Sequence, residues 1–280
     1  MSDPGEAVPR RSLAVLGSPI AHSRSPLLHS AAYRQLGLDW DYGRREVRSG
    51  ELAGFLGGLG TEWRGLSLTM PLKREVLPLL DEADELVEIT GAANTVLLDG
   101  TIRGFNTDVG GIEAAFAERG VPAPHRVLIL GGGATAASVL TAVARLGATE
   151  AVVAVRSPER AAALPRLGAR LGLGVALLSL GGELPVDVDL VASTLPGDAT
   201  PPLPEVAPGT ALLDAAYDPW PSTLARHWAR VGAGPTVSGL EMLVHQALLQ
   251  VRIFARGDPG VPLPGEAGVL RAMKAAVGGF

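Results

Sequence analysis

The sequence contains no cysteine, which excludes disulfides, thiolate nucleophiles and cysteine-ligated zinc or iron–sulfur centres, and makes a reducing cytoplasm the expected compartment. Five histidines include no HxxxH pair, so no metal site is expected. The formal charge is −5 with no basic stripe, so nucleic acid is not an expected partner. The opening Met1–Arg11 carries acids and prolines without an apolar core, and no signal peptide is expected from it. The uncharged stretch Val127–Ala144 is long enough to be weighed as a membrane span, but three glycines near its start predict strand, turn and helix instead. Two residue types are nearly missing. Lysine occurs only at Lys73 and Lys274 among 24 basic residues, and asparagine only at Asn94 and Asn106.

What is present is an ordinary globular composition, 47% hydrophobic over 280 residues, enough for one large domain or two of about 100–200 residues. Apolar strand-like runs alternate with helical ones, the pattern of an α/β protein with mostly parallel strands. Strands are expected near Leu13–Gly17, Tyr42–Val47, Gly65–Thr69 and Asn94–Leu98, with a return strand after Asp99-Gly100 and helices at Pro26–Leu36, Gly50–Leu59 and Pro71–Leu80. A second α/β lobe is expected from Arg126–Leu130 onward, through Ala151–Val155, Val175–Leu180, Leu190–Thr194 and Ala211–Asp214. A long apolar-rich helix from Gly239 to about Arg256 and a short one from Glu266 to Val277 close the chain.

The strand Val127–Leu130 runs into Gly131, Gly132, Gly133 and Ala134, then into a helical run. Glycines there let the backbone turn tightly and approach a diphosphate at the helix N-terminus. The following strand ends at Arg156-Ser157, where an acid would read the ribose of NAD. Arg156 instead matches the 2′-phosphate of NADP, with Ser157 and Arg160 on the same side, so NADP is the expected cofactor. A glycine-rich turn without a ligand is the alternative.

A lysine kept amid arginines points to chemistry in which an amine can lose its proton. In His22-Ser-Arg-Ser-Pro26, Pro26 fits a helix's first position and makes Ser25 the expected N-cap. The helix N-terminus favours a negative group, so Ser23 and Ser25 are candidates for holding a ligand carboxylate.

With these pieces in place the sequence resembles the shikimate dehydrogenases. The resemblance rests on Gly17–Pro26, Leu68–Lys73, Gly91–Thr95, Gly104–Asp108, the Gly131 loop, Tyr217-Asp-Pro219 and Gly239–Gln246, in the family's order across nearly the whole chain. It implies an α/β fold of two lobes: residues 1–108, completed by helices in 239–280, would bind substrate, and a Rossmann-type lobe, 109–238, would bind NADP. It implies reversible reduction of 3-dehydroshikimate to shikimate. Ser23 and Ser25 would meet the carboxylate, Thr69, Asn94 and Gln246 the hydroxyls, and Lys73 with Asp108 the reacting position. Tyr217 would lie near substrate and nicotinamide, and Gly239 would touch the nicotinamide.

An amine beside a carboxylate can stabilise a developing oxyanion and share its proton, which makes Lys73 and Asp108 the candidate dyad. A small-molecule substrate is the expected partner, to a monomer or homodimer, with no membrane association. The sequence departs from the family at Ser67, where an asparagine is usual, at Val155-Arg156-Ser157, which lacks the amide of Asn-Arg-Thr, and at Val191–Thr194, which lacks an asparagine. Two other readings stand beside this one: a quinate/shikimate dehydrogenase that uses NAD or both cofactors, and a non-catalytic NADP-binding sensor.

Overall fold

The structure is a computed structural model that describes residues 10–279. Packing divides it into two compact units. One comprises the described residues up to Glu88, Ala92–Thr107 and those from Ala247 onward, and the other comprises Ile89–Gly91 and Asp108–Gln246.

The first unit contains β1 (Arg11–Gly17), α1 (Ser25–Leu36), β2 (Trp40–Glu46), α2 (Leu52–Gly57), β3 (Trp63–Leu68), α3 (Leu72–Glu75), β4 (Glu82–Ala83), most of α4 (Glu85–Thr90), β5 (Thr95–Leu98) and β6 (Ile102–Phe105). Its sheet has the order β2-β1-β3-β5-β6-β4. Leu13, Ala14, Val15 and Leu16 of β1 are all buried, the continuous apolar run expected of an interior parallel strand. β1 pairs in parallel with β2 and β3, whereas β5 runs antiparallel to β3, and β6 antiparallel to β5. This reversal decides where the chemistry collects. The start of β5 and the end of β6 return to the sheet edge at which β1 and β3 finish, with Ser67 opposite Thr95 and Thr95 opposite Phe105.

Three local expectations need correction. The helix expected over Pro71–Leu80 stops at Glu75, followed by a 3₁₀ turn, Leu77–Leu79, because Pro78 lacks an N–H and disfavours helical geometry before it. The helix expected over Gly50–Leu59 is only Leu52–Gly57 and gives out in the glycines that follow. The N-cap of α1 is Arg24 and not Ser25: the Arg24 carbonyl accepts the first helical bonds, and the Ser23 hydroxyl accepts from the Ser25 N–H at 3.3 Å.

The second unit contains α5 (Asp108–Arg119), β7 (Arg126–Leu130), α6 (Ala134–Arg145), β8 (Glu150–Val155), α7 (Ala163–Leu171), β9 (Gly174–Ser179), β10 (Leu190–Ser193), β11 (Ala211–Asp214), α8 (Thr223–Val231) and β12 (Thr236–Ser238). All six strands are parallel, in the order β12-β11-β10-β7-β8-β9. Counted from β7 this is the doubly wound order 3-2-1-4-5-6 of Rossmann folds, which bind ligands where the order reverses, here between β7 and β10. Leu128, Leu130, Val191 and Leu212 form its core with Trp228 of α8, whose indole N–H donates to the Thr210 carbonyl at 2.9 Å.

The chain ends with α9 (Gly239–Arg256) and α10 (Glu266–Ala276); α10 packs on α1 within the first unit. Ser238 and Glu241 exchange side-chain bonds with each other's backbone N–H, a capping box that starts α9. Among the described residues no helix is long and apolar enough to cross a membrane; the Val127–Ala144 stretch is β7, a glycine turn and α6.

Candidate active site

In the first unit the polar edge is assembled from loops that neighbouring backbone holds in place. The Ser23–Ser25 turn follows β1, and the Arg44 side chain fixes it by donating from Nε to the Ser23 carbonyl at 2.9 Å. Both serines are buried. Thr69, half-buried just past β3, donates its N–H to the Leu16 carbonyl and accepts at its own carbonyl from Leu72. Lys73 follows in α3, and its carbonyl accepts from the Ala93 N–H at 2.8 Å. The lysine's main chain is therefore tied to the segment carrying Asn94.

Asn94 is buried, with its carboxamide orientation set by its neighbours. Its Oδ1 accepts from the Thr107 N–H and the Thr95 hydroxyl, each at 2.9 Å, and its Nδ2 donates to Thr107 Oγ1 at 2.9 Å. Asp108, also buried, is the residue after Thr107 and opens α5 in the second unit. Asn106 is structural: its Nδ2 donates to the Ala92 carbonyl at 2.9 Å.

Several polar residues at this edge were not anticipated. Asp84 accepts from the Val87 and Asn106 N–H groups, and burial raises its pKa above the ordinary carboxylate value. Ser67 is buried and bonded to Tyr42 Oη at 2.6 Å and Gln250 Oε1 at 2.8 Å. His29 stacks on Tyr42 with ring centroids 3.9 Å apart, and burial pulls its pKa down to about 3, so the imidazole is neutral. Burial likewise raises the Tyr42 phenol.

In the second unit Gly131 has φ +106°, a conformation L side chains rarely adopt, and a Cβ there would run into Thr194 Oγ1 at the start of the loop after β10. A Cβ on Gly132 would lie 2.8 Å from Val155. Gly133 is different: nothing stands within 4 Å of where its Cβ would point, and no side chain caps α6. Space without packing, over the exposed N–H groups of a helix's first turn beginning at Ala134, fits a diphosphate. Beside it a hollow of about 460 Å³ is lined by Gly132, Val155, Arg156, Ser157, Arg160 and Ala161. Two guanidinium groups and no acid among those lining residues suit a phosphate better than an unmodified ribose.

The remaining expected residues are also in this unit. Tyr217 is half-buried after β11. Its loop is secured by Asp214, which accepts from the Ser222 hydroxyl and, at 3.2 Å, from the Ala216 N–H; burial raises this carboxyl's pKa. Gly239 meets backbone: a Cβ would strike the Ala215 carbonyl, so close packing alone accounts for the glycine. Gln246 Nε2 donates to the Leu243 carbonyl at 2.9 Å, and Gly111 of α5 lets that helix approach it, since a Cβ there would lie 2.6 Å from Gln246 Cβ.

A doubly wound sheet with an open, uncapped helix N-terminus at its switch point defines the second unit as a dinucleotide-binding α/β domain, joined in one chain to a unit that gathers Ser23, Ser25, Thr69, Lys73 and Asn94 in the segments at one sheet edge. Comparison with known proteins gives the family. Residues 15–96 match the shikimate dehydrogenase substrate binding domain. The chain is 38% identical to the shikimate dehydrogenase (NADP(+)) of Rubrobacter xylanophilus, covering 89% of this chain and 92% of that protein. It superposes on the shikimate dehydrogenase of Mycobacterium tuberculosis with a TM-score of 0.80 at 37% identity, covering 95% and 99% of the two chains. It superposes with a TM-score of 0.79 at 32% identity, and the same coverage, on the Thermus thermophilus shikimate 5-dehydrogenase solved in complex with NADP(H) and shikimate. The chain belongs to the shikimate dehydrogenase family.

Proposed function

We propose that the chain catalyses the reversible NADP-dependent reduction of 3-dehydroshikimate to shikimate, with the first unit binding the hydroxylated acid and the second binding NADP. The observation that carries the reading is the shared tether of the polar edge. Lys73 and Asn94 are linked through the Ala93 N–H, Asn94 and Thr107 through three side-chain bonds, and Asp108 follows Thr107 directly.

Ser23 and Ser25 hold the substrate carboxylate, while Thr69, Asn94 and Gln246 bond its hydroxyls. Gly131, Gly132, Gly133 and Ala134 receive the diphosphate, Arg156, Ser157 and Arg160 the 2′-phosphate, and Tyr217 and Gly239 line the nicotinamide end. When bound, NADP supplies or accepts the hydride. Lys73 stabilises negative charge on the reacting oxygen, and Lys73 with Asp108 passes the proton to or from that oxygen. The two arginines by the phosphate site favour NADP over NAD, and intact Lys73 and Asp108 disfavour a sensor without chemistry. A cytoplasmic enzyme working as a monomer or homodimer fits this reading.

The test of the dyad is Lys73→Ala. Losing a group that acts only in the transition state lowers kcat by about 10²–10⁴-fold, while NADP titration gives the wild-type affinity. Near-normal turnover would remove the lysine from the mechanism.

A further inference from the structure

Beneath the polar edge of the first unit lies a buried chain of hydrogen bonds whose direction can be deduced. Gln250 Nε2 lies 3.2 Å from the Asn94 carbonyl and 3.0 Å from Thr95 Oγ1. A carbonyl only accepts, so the amide nitrogen must face it and the amide oxygen must face the other way. That oxygen lies 3.1 Å from His29 Nε2 and 2.8 Å from Ser67 Oγ, so both groups donate to it. His29 is thereby the Nε2–H tautomer, and its Nδ1, 3.1 Å from Tyr33 Oη, accepts from the phenol. The Ser67 proton is committed to Gln250, so Tyr42 must donate to Ser67 Oγ. The Tyr42 proton is then used as well, so the phenol oxygen has only acceptor capacity left.

We propose that Gln250, oriented by His29, is a positioning residue of the substrate site. It holds the main chain at Asn94 and sets the donor direction through Ser67 to Tyr42, so the affinity for shikimate depends on His29 while NADP affinity and turnover of bound substrate do not. Ser67 has no proton left for substrate, which separates it from an asparagine at that position, whose amide would keep donors to offer. This inference rests on the function proposed above. Removing the His29 donor leaves the Gln250 oxygen short of a partner in a buried setting, where the amide can turn and disturb both ends of the chain.

The experiment is steady-state shikimate oxidation by purified wild type, His29→Leu, His29→Gln and Tyr33→Phe, with thermal unfolding to report folding. Wild-type turnover of shikimate with NADP is the control, and its absence would overturn the proposed reaction itself. The expected result is a KM for shikimate raised about tenfold in His29→Leu, with kcat and the KM for NADP within about twofold of wild type. His29→Gln, whose amide N–H can replace Nε2–H, should return KM to within about threefold. Tyr33→Phe keeps the ring and removes only the hydroxyl that donates to His29 Nδ1, and should raise KM about threefold; it carries the test if His29→Leu does not fold. Unchanged KM for shikimate in the folded variants, or activity lost only in proportion to folded protein, would overturn the inference and leave the reaction standing.

Discussion

The glycine loop makes a prediction in which stability and binding separate within three consecutive residues. Gly131→Ala forces a side chain into φ +106° and onto Thr194. Backbone strain of this kind costs about 1–3 kcal/mol, and overpacking adds about 1 kcal/mol or more. At roughly 2–4 °C per kcal/mol for a protein of this size, these costs lower Tm by about 4–16 °C. Gly133→Ala is a different perturbation. Its backbone, φ −81° and ψ −165°, is extended and open to any residue, and its Cβ meets nothing within 4 Å. Reduced freedom of the unfolded chain gains about 0.4–1 kcal/mol, and alanine's weakness at a helix N-cap takes back about as much, so Tm should move by less than about 2 °C. The added methyl nevertheless stands where a diphosphate must approach the first turn of α6. Charge-assisted bonds are worth about 1.5–3 kcal/mol each, so loss of one predicts a KM for NADP raised roughly ten- to hundredfold. Thermal unfolding and steady-state kinetics on the two variants provide the assay. An unchanged KM for NADP in Gly133→Ala, or a Tm loss there equal to that of Gly131→Ala, would refute the assignment of this space to the cofactor.

Two further predictions concern charge. Arg156→Ala should weaken NADP by about tenfold or more and leave NAD nearly unchanged, measured by KM for each cofactor; equal effects would show that Arg156 does not read the phosphate. His29, pulled down to about 3 from 6.5, binds its proton more readily in the unfolded chain, so its contribution to stability is present above pH 6.5 and lost as pH falls toward 3. By linkage this is about 2 kcal/mol between pH 6.5 and 5. The raised carboxyls Asp84 and Asp214 act with opposite sign, since the folded state takes up their protons first. Urea unfolding at pH 7 and pH 5 should therefore show a steeper loss in wild type than in His29→Gln, and parallel losses would contradict the burial argument.

The interior strands were legible because parallel β-strands covered on both faces read as unbroken apolar runs, as in Val127–Leu130, which is wholly buried. The glycine loop was legible because the left-handed backbone of Gly131, φ +106°, is one that L side chains adopt only under strain. Helix α5 was not anticipated: Gly110 and Gly111 break its pattern, and Gly111 is there because Gln246 packs against it. Helix α8 hides its apolar stripe, Leu224, Ala225 and Trp228, among arginines and a histidine. The start of α9 at Gly239 was read from the sequence, and the capping box Ser238–Glu241 is the local reason for it. Pro78 likewise signalled the break after α3. The four-residue spacing of His29 and Tyr33 could have suggested a pair on one helix face, but their partner Gln250 lies 221 positions beyond His29, and no local pattern joins them. The residues that touch ligand in the proposed function were named from the sequence, whereas those that orient them from below, Tyr42, His29, Gln250 and Asp84, emerge only when the sheet edge is assembled.

The central claim is tested most directly by following NADPH formation when purified protein is given shikimate, with NAD and quinate in parallel. The account predicts steady turnover with shikimate and NADP, and a markedly lower kcat/KM when either the cofactor or the acid is exchanged. Binding of NADP without any turnover of shikimate would contradict it, and equal use of NAD or quinate would move the assignment to a broader dehydrogenase of the same family.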